Sequence, residues 1–425
     1  MKSTTLAASV VALSNLFAPF AGAQETAKKG EVHQGYSDTA PEYEVNGRII
    51  SNVDLKAYSW NPRGKSDEQI KERAAFLLEA YDLAMTPEQE KRAKEVREKY
   101  QDAVVVNSIM IGAPGCAGTG EEQFAAGLKR NLDAGVPLVS VTAFAYPSDG
   151  TTPVRERLAT ANAVLKTTDW VIPVKNVDDI MRAKKEGKLG VMFNTQGADY
   201  AVDDLGMMAQ VKKMGVNVSN FVYNNDNALA GGGAKQGSGV TELGKTWIEE
   251  CNKLKIVVDV SHSSNQTAIE AAKLSKKPVI ASHSNAAGIF KLNRNISDEA
   301  IKAVGASGGV VASTGVGLFL NDKGVASPEE FAKHVEYTAN LIGRDKTGFS
   351  TDYMHAAKDM FLQDVANVKV FPPEDGFGVP ASNMAAEHAW AVAAVLEDKY
   401  GWEEEDVRGF LGGNLLRAYK ANWED

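Results

Sequence analysis

Between residues 103 and 353 the chain alternates short apolar runs with amphipathic segments. Eight runs have the length of strands: AVVVNSIMIG (103–112), VPLVSVTAF (136–144), KLGVMFNTQG (188–197), VNVSNFVYNN (216–225), KIVVDVSH (255–262), KPVIASHSN (277–285), GGVVASTGV (308–316) and TGFSTDY (347–353). Continuous apolar strands joined by helices form a parallel sheet. Eight such units predict an α/β fold of the (β/α)8 TIM-barrel type. A doubly wound open sheet is the alternative, although no G-x-G-x-x-G motif follows the first run.

Residues 24–102 precede the first run and form a predicted N-terminal extension that is partly helical. The stretch 66–100 carries apolar residues at helical spacing, and Thr86-Pro87-Glu88 divides it, because Pro is favoured at the first position of a helix. We therefore predict two helices that pack on a barrel domain spanning residues 103–425. Residues 387–423 predict two further helices that close one end of the barrel.

The first 23 residues have the pattern of a secretory signal peptide. Lys2 supplies the positive start, residues 6–20 the apolar core, and Ala21-Gly22-Ala23 the small residues of a cleavage site. A membrane helix is the competing interpretation, but the apolar run is shorter than the ~20 residues that a span requires. We expect a mature chain that begins near Gln24 and resides in a bacterial periplasm or outside the cell.

The formal net charge is −9, with basic and acidic residues intermixed along the chain. This charge disfavours nucleic acid and anionic membranes as partners, and no later segment is apolar enough to span a membrane. A small solute is the expected ligand. Cys116 and Cys251 could oxidise in a periplasm, but the sequence leaves their pairing open.

His262 and His283 each end an apolar run, and the chain has six histidines in all. In a parallel barrel the C-terminal ends of the strands converge and carry the chemistry. The same rim is expected to collect other side chains from the remaining strands: Ile109, Ile111, Gln196, Tyr223, Asn224 and Asp352.

Two neutral imidazoles and one carboxylate can hold a divalent ion with positions left for water and substrate. Asp352 has a competing role, because it could instead accept a proton from the water as a general base. The alternative for the histidines is that they only hydrogen-bond to neighbouring serines, namely Ser261, Ser263, Ser282 and Ser284.

Arg294 follows the sixth run and is predicted to receive a carboxylate through a bidentate fork. Its alternative is a surface salt bridge with Asp298 or Glu299. Asp259 points to the opposite side of its strand from His262 and is expected to be structural. His355 lies three residues after Asp352 and could reach the site from a loop.

Three further histidines, His33, His334 and His388, lie in polar or helical contexts, and we expect them at the surface or in helix packing. The glycine-rich segment AGGGAKQGSG (230–239) lacks the GK[ST] of a phosphate loop. We interpret it as a mobile loop over the barrel mouth.

The segment VVDVSHSSNQTAIEAAKLSKKPVIASHSNAAGIFKLNRNISDEAIKAVGASGGVV (257–311) closely resembles the M19 peptidases, the renal or membrane dipeptidase family of the amidohydrolase superfamily. The resemblance extends over about residues 103–420, through GKLGVMFNTQGAD, NFVYNNDNALAGG, GFSTDY and EEEDVRGFLGGNLLRAY in that order. It implies a TIM barrel and, in most family members, hydrolysis of dipeptides with two bridged zinc ions.

The resemblance also implies roles for individual residues. His262 and His283 match the histidines that hold one zinc, and Arg294 matches the arginine that grips the terminal carboxylate of the substrate. Asp352 matches the aspartate near the catalytic water. Tyr223 stands where some members have a histidine that stabilises the tetrahedral intermediate, and Asn224 beside it is expected to contact substrate.

This chain departs from the family pattern at other ligand positions. Ile109 and Ile111 replace the His-x-Asp of the first strand, and Gln196 replaces the glutamate that bridges the two ions. An isoleucine cannot coordinate, and a neutral amide bridges two dications poorly. We therefore expect the second zinc site to be absent, leaving one divalent ion, zinc by preference, on His262, His283 and Gln196, or no metal.

A binuclear centre generates hydroxide and stabilises the tetrahedral oxyanion, and each of these effects is worth several kcal/mol. Without that centre, ordinary dipeptidase turnover is not expected. Three hypotheses follow: a mononuclear hydrolase of a peptide-like amide, a metal-free protein that binds a peptide or carboxylate ligand, and a redirected enzyme of peptide natural-product maturation. The third hypothesis is suggested by analogy with a family member that takes part in maturing the siderophore pyoverdine. Family members often pair, so a homodimer is an expectation by analogy alone.

Overall fold

A computed structural model describes residues 62–424 apart from 83–84, 117, 145–150, 235, 372–376 and 379, together with the backbone of residues 42–45 and 48–51. At residue 111 and residues 151–153 only the backbone is described. The predicted signal peptide and His33 lie outside these residues. The short strands β1 (Glu42–Val45) and β2 (Arg48–Ser51) form an antiparallel hairpin.

The eight apolar runs form the strands of a parallel barrel, which confirms the predicted fold class. The strands are β3 (Val106–Ile111), β4 (Leu138–Phe144), β6 (Leu189–Thr195), β7 (Val216–Asn220), β8 (Val257–Asp259), β9 (Ile280–Ala281), β10 (Val310–Thr314) and β11 (Thr347–Ser350). Neighbours in this order pair in parallel from β3 to β11. The strands of a parallel barrel are buried on both faces, which explains why the eight runs are continuously apolar.

The barrel closes through β12 (Tyr353–Met354), which continues the path of β11 and pairs in parallel with β3. Between the two strands the backbone of Asp352 turns into the left-handed region, with φ of +51°. Its amide donates a hydrogen bond of 3.1 Å to the carbonyl of Ile109 on β3. The closing kink therefore lies at one of the predicted site residues.

One further strand, β5 (Val171–Pro173), was not predicted and pairs in parallel with the first residues of β6. It has only three residues, which is too short for a strand period to stand out from its surroundings. Helices follow most of the strands and cover the outside of the sheet. They are α3 (Glu121–Asp133), α4 (Thr151–Lys166), α5 (Val177–Glu186), α6 (Gly206–Lys213), α7 (Glu242–Leu254), α8 (Asn265–Leu274), α9 (Asp298–Ala306), α10 (Gly317–Leu320) and α11 (Pro328–Ile342).

The two helices predicted in the N-terminal extension are present as α1 (Asp67–Glu79) and α2 (Pro87–Lys99). Each begins with a capping box, at Ser66 and Thr86, in which the hydroxyl accepts from the third helical amide and a Gln side chain reaches back. Ala93, Val96 and Tyr100 bury the inner face of α2 against the barrel helices. The extension thus shares a hydrophobic core with the barrel.

The C-terminal segment contains α12 (Ala357–Ala366), α13 (His388–Tyr400), α14 (Glu404–Arg408), the π-helical turn Gly409–Gly413 and α15 (Asn414–Trp423). Leu415, Tyr419 and Trp423 of α15 pack among the first residues of the barrel strands, such as Val106 and Val310. The prediction that C-terminal helices close one end of the barrel is confirmed, and the end they close is opposite the histidines.

Cys116 and Cys251 are buried in different hydrophobic clusters, and no disulfide bond joins them. Within the described part of the chain, no helix is both long and apolar enough to cross a membrane.

Candidate functional site

The residues predicted at the C-terminal rim of the barrel converge in the structure. His262 lies three residues after the end of β8, and His283 lies two residues after the end of β9. Their ring centroids are 4.9 Å apart. Tyr223, from the rim of β7, stacks on His262 at 4.2 Å between ring centroids. Three neighbouring strands therefore bring these side chains to one place.

The hydrogen bonds of His262 identify its tautomer. Its Nδ1 lies 2.7 Å from Asn224 Oδ1, and Asn224 Nδ2 donates to the carbonyl of Val370 at 2.8 Å. The carbonyl of Val370 can only accept, so the amide nitrogen faces it and the amide oxygen faces the histidine. We infer that Nδ1 carries the hydrogen and that Nε2 holds a lone pair. This Nε2 is buried and has no hydrogen-bond partner.

His283 is oriented by a relay that begins at Asp259. The Ser282 hydroxyl donates to Asp259 Oδ2 and lies 2.6 Å from His283 Nδ1. Because the only hydroxyl hydrogen goes to the carboxylate, the Ser282 oxygen accepts a hydrogen bond from His283 Nδ1. His283 Nε2 therefore also holds a lone pair, and it too is buried without a hydrogen-bond partner.

Asp259 is held in place by two backbone amides as well, those of Ser261 and Ser282, which donate to its Oδ1 at 2.9 and 3.0 Å. Burial raises the pKa of Asp259, and the hydrogen bonds from Ser282 and from the backbone amides oppose that rise. Asp259 is structural, as predicted, and its structural task is to orient His283. The predicted hydrogen bond between a histidine and a neighbouring serine is present, and it leaves Nε2 available.

Burial lowers the pKa of His262 and of His283 well below the usual range, and the nearby charge of Arg294 lowers both further. Both rings are neutral near pH 7. A neutral imidazole with its Nδ1 hydrogen fixed is the form that binds a metal through Nε2 or accepts a hydrogen bond there. The pair can do either.

Arg294 contacts the backbone of the histidine pair at His283. It donates from Nη2 to the carbonyl of His283 at 3.0 Å and from Nη1 to Ser284 Oγ at 3.4 Å, and its guanidinium carbon is 5.2 Å from the ring centroid of Phe319. Its Nε is buried and has no hydrogen-bond partner. Arg294 is buried, the carboxylates whose charges act on it are Asp352 and Asp259, and Asp298 accepts a hydrogen bond from Tyr337, so the predicted surface salt bridge with Asp298 or Glu299 is not found among the described residues. Its role in gripping a carboxylate stays a prediction.

Asp352 lies at the kink that closes the barrel, and the Gln196 side chain is within hydrogen-bonding reach of its carboxyl group. Burial raises the pKa of Asp352 to about 6, although the charge of Arg294 and the contact with Gln196 act in the opposite direction. Gln196 Nε2 donates to Thr142 Oγ1 at 3.0 Å, whereas its Oε1 is buried without a hydrogen-bond partner. A carboxyl group with a pKa near 6 is suited to general acid–base chemistry.

Ile109 fills the rim position of β3 with hydrocarbon. It is fully buried in a cluster with Cys116, Met360 and Phe371, on one side of Tyr223. Among the described residues, no three His, Cys, Asp or Glu side chains are close enough together to hold a metal ion. The unpartnered nitrogen donors described at the rim are the two imidazole Nε2 atoms, and the unpartnered amide oxygen of Gln196 belongs to a side chain that contacts Asp352.

A cavity of about 80 Å³ lies at the rim beside His262. His262, Tyr223 and Asp352 line its floor. Its walls come from segments that the sequence did not connect with the site: Leu77 of α1 and Tyr81 after it, α10, and residues of α12 and of the chain on either side of that helix. The N-terminal extension thus contributes directly to the cavity.

Asp364 of α12 is one of these wall residues, and it was not predicted from the sequence. A weak signal was available, because Asp364 follows Met360 by four residues and so shares its helical face. That face is otherwise apolar and buried. A carboxylate on the buried face of a helix is uncommon and points to a specific role.

The other histidines in the described part of the chain lie outside the site. His355 contacts Tyr353 at 4.9 Å between ring centroids and packs against Gly127 of α3, so the expectation that it reaches the site is wrong. His334 and His388 are buried in helix packing, which was one of the two predicted locations.

In the glycine-rich segment 230–239, the amide of Gly233 donates to the carbonyl of His262 at 2.7 Å. That segment supports the backbone of His262, while its mobility stays a prediction.

Comparison with known proteins agrees with this architecture. The family model for membrane dipeptidases, peptidase family M19, matches residues 130–373, which is more than half of the chain. An amidohydrolase from Pseudomonas aeruginosa has a similar structure with a TM-score of 0.70 and 24% identity, over 78% of this chain and 99% of the other.

Two further solved structures show the same fold. The probable dipeptidase PvdM from Pseudomonas aeruginosa has a TM-score of 0.62 and 18% identity, over 79% of this chain and 99% of that one. A metallopeptidase from Rhodobacter sphaeroides, bound to a phosphinate mimic of the dipeptide L-Ala-D-Ala, has a TM-score of 0.59 and 17% identity, over 76% and 99% of the two chains. The chain therefore belongs to the membrane dipeptidase family, peptidase family M19.

Proposed function

We propose that this protein acts on a peptide or another amide-bearing small molecule at the rim of its barrel, as a secreted or periplasmic dipeptidase-family protein with at most one metal ion. The observation that carries the proposal is the pair of buried Nε2 lone pairs on His262 and His283, which have no hydrogen-bond partner. Family membership supports the substrate class, and the signal-like residues 1–23 support secretion.

The two histidine nitrogens fit a single divalent ion, zinc by preference. Catalytic zinc sites usually have three protein ligands, of which the pair supplies two. The third is proposed to be Gln196, whose Oε1 is buried without a hydrogen-bond partner. A divalent ion bound there would acidify water and polarise an amide carbonyl.

The second ion of the binuclear family members is proposed to be absent, since Ile109 occupies its place with hydrocarbon. The chain's own residues carry the other steps. Asp352 accepts the proton from the attacking water, and Arg294 holds a carboxylate of the ligand through its fork. Tyr223 stacks on His262 and bounds the site on the side of β7.

The metal content of the purified protein tests this proposal. After purification without chelator and dialysis against zinc, elemental analysis is expected to find about one equivalent of zinc per chain. His262→Ala and His283→Ala are each expected to lose it, because either change removes half of the paired nitrogen ligands. His355→Gln, which changes a histidine outside the site, is the matched control and should keep the wild-type zinc content.

The same preparations should be assayed with L-alanyl-L-alanine in the presence of zinc. Slow hydrolysis that His283→Ala abolishes supports the mononuclear enzyme. Two equivalents of zinc in the wild type, or family-level hydrolysis that survives His283→Ala, contradicts it.

A second candidate is a metal-free protein that binds a peptide or carboxylate ligand. It is favoured by one observation, that the described residues place no third His, Cys, Asp or Glu beside the histidine pair. In that case both Nε2 atoms accept hydrogen bonds from N–H groups of the ligand. Zinc-independent binding of the dipeptide without hydrolysis distinguishes this candidate. A role in maturing a peptide natural product rests on the family resemblance, and gene neighbours would test it.

A further inference from the structure

A cleft of about 510 Å³ lies at the N-terminal end of the barrel strands, at the opposite end from the histidines. Its lining residues come from α2, the last turn of α5, α13 and the loop that leads into β4. Three of them, Lys94, Arg97 and Lys184, are cationic, and one, Glu98, is anionic. This lining therefore has an excess of positive charge, although the whole chain has a formal net charge of −9.

The basic residues of α2 are divided between two faces of the helix. Among the described residues, the ion pairs of α2 are made by Arg92 and Lys99, which reach carboxylates of α13. Lys94 and Arg97 are three residues apart, so they lie on one face, and that face borders the cleft. The cations of this second face are directed at the cleft.

The position of the Arg97 guanidinium depends on Gly135, just before β4. Gly135 has a φ of +77°, and a Cβ added to it would lie 3.0 Å from both Nε and Nη2 of Arg97. The loop is in turn fixed to α13, because Trp390 Nε1 donates to the carbonyl of Ala134 at 2.7 Å. A glycine here lets the guanidinium pack against the backbone at the edge of the cleft.

Lys184 enters the cleft from α5. Its Nζ donates to the carbonyl of Gln101 at 2.5 Å, which uses one of its three hydrogens. Burial lowers the pKa of Lys184, the charge of Asp102 acts in the opposite direction, and the charge of Arg97 lowers it again. Lys184 and Arg97 therefore repel each other, and an anion bound beside both would replace that repulsion with attraction.

We propose that this cleft binds a phosphate group through Arg97, Lys184 and Lys94, and that the phosphate belongs to a soluble phosphate monoester. A monoester carries a charge of about −1.5 to −2 near pH 7, which complements three cations and one carboxylate. Arg97 supplies a planar fork for two phosphate oxygens, and the lysines act as point charges. The volume of the cleft lies within the range of roughly 300–1,000 Å³ that is usual for small-molecule sites, so it can also hold the group that carries the phosphate.

The direct test is isothermal titration calorimetry of the intact protein with inorganic phosphate and with acetate. Both titrations are done at one ionic strength near pH 8, where phosphate is mainly a dianion. The wild type is expected to bind phosphate at least tenfold more tightly than acetate. Arg97→Gln and Lys184→Gln are each expected to weaken phosphate binding by roughly tenfold, because each removes one charge-assisted hydrogen-bond donor.

Lys91→Gln is the matched control, since Lys91 is exposed on the same helix and does not line the cleft. It removes the same charge and should keep the wild-type affinity for phosphate. The phosphate site would be overturned by any of three results: no detectable phosphate binding in the wild type, equal affinity for phosphate and acetate, or an equal loss in Lys91→Gln and Arg97→Gln.

A phosphate monoester can also be the headgroup of a lipid, and vesicles distinguish the two sources. The protein is sedimented with phosphatidylcholine vesicles that contain phosphatidic acid. No co-sedimentation is expected, because the net charge of −9 disfavours an anionic membrane. Phosphate binding without co-sedimentation supports a soluble ligand. Co-sedimentation that Arg97→Gln abolishes would overturn the soluble source and assign the cleft to a lipid headgroup.

Discussion

Two residues of the site, His262 and Asp352, have a backbone conformation that side chains rarely adopt. Their φ angles are +66° and +51°, and only two other non-glycine residues in the described part of the chain, Gln236 and Lys255, have positive φ. Such conformations cost energy and persist where the surroundings enforce them. Here the enforcing contacts are backbone hydrogen bonds, from Gly233 to His262 and from Asp352 to Ile109. Two of these four residues, His262 and Asp352, lie at the rim and line the cavity.

Asp364 also provides a prediction about stability, because no described residue pairs with its buried Oδ1. Burial and the charge of Asp352 raise the pKa of Asp364 well above the usual value. The folded state therefore holds the proton more tightly than the unfolded state, whose carboxyl group ionises near pH 4. The resulting loss of stability begins above the unfolded pKa and is complete once the pH exceeds the folded pKa.

Asn cannot ionise, so Asp364→Asn is expected to raise the free energy of unfolding at pH 8 by roughly 0.5–2 kcal/mol, the usual size of a stabilising substitution. The gain should disappear near pH 3.5, where the aspartate is protonated in both states. Thermal unfolding across this pH range measures it, with Asp359→Asn as the control. A variant that is less stable than the wild type at pH 8 would show that Asp364 is compensated in the folded protein.

At the scale of elements, the barrel is closed at its N-terminal end by α15. Gly412, just before α15, lies so close to the first barrel strand that an added Cβ would be 2.3 Å from the carbonyl oxygen of Val104. Glycine is required at this point because a side chain would separate the helix from the strand. The helix that follows carries its apolar face into the end of the barrel.

Leu415 of α15 is fully buried among the first residues of the strands. Leu415→Ala is expected to lower the free energy of unfolding by about 2–5 kcal/mol, because it leaves a cavity in a packed layer. Leu274→Ala on α8 is the control, since Leu274 is 42% exposed and its loss should cost less than about 0.5 kcal/mol. Urea unfolding of both variants measures the difference. Similar midpoints for the two would mean that α15 is not part of the cooperative core.

At the scale of the whole molecule, the N-terminal extension is part of the barrel's core and of its cavity. Arg92 of α2 forms a two-pronged pair with Asp398 of α13, with both distances 2.8 Å. The buried face of α2 packs with α11 and α13 in one cluster, while Leu77 and Tyr81 line the cavity. Removal of the extension would expose apolar surface on two sides of the barrel.

A chain that starts at Val104 is therefore expected to aggregate and to bind a dye for exposed apolar surface, whereas a chain that starts at Pro62 should stay monodisperse. Size-exclusion chromatography and dye fluorescence compare the two. A well-folded chain from Val104 with wild-type thermal stability would show that residues 62–103 are an independent appendage. The predicted boundary at residue 103 would then also be a boundary of folding.

The sequence determined the eight barrel strands, the two helices of the N-terminal extension and the presence of His262, His283 and Asp352 at one rim, because apolar spacing and strand ends are local properties of a chain. It also named Arg294 and Gln196, through a resemblance that covers most of the barrel. Only the tertiary structure decided which nitrogen of each histidine is available, and that Asp364 and α1 belong to the cavity. Those facts depend on hydrogen bonds and packing between residues far apart in sequence, such as Asn224 with Val370. Local periodicity contains no information about which distant groups will meet.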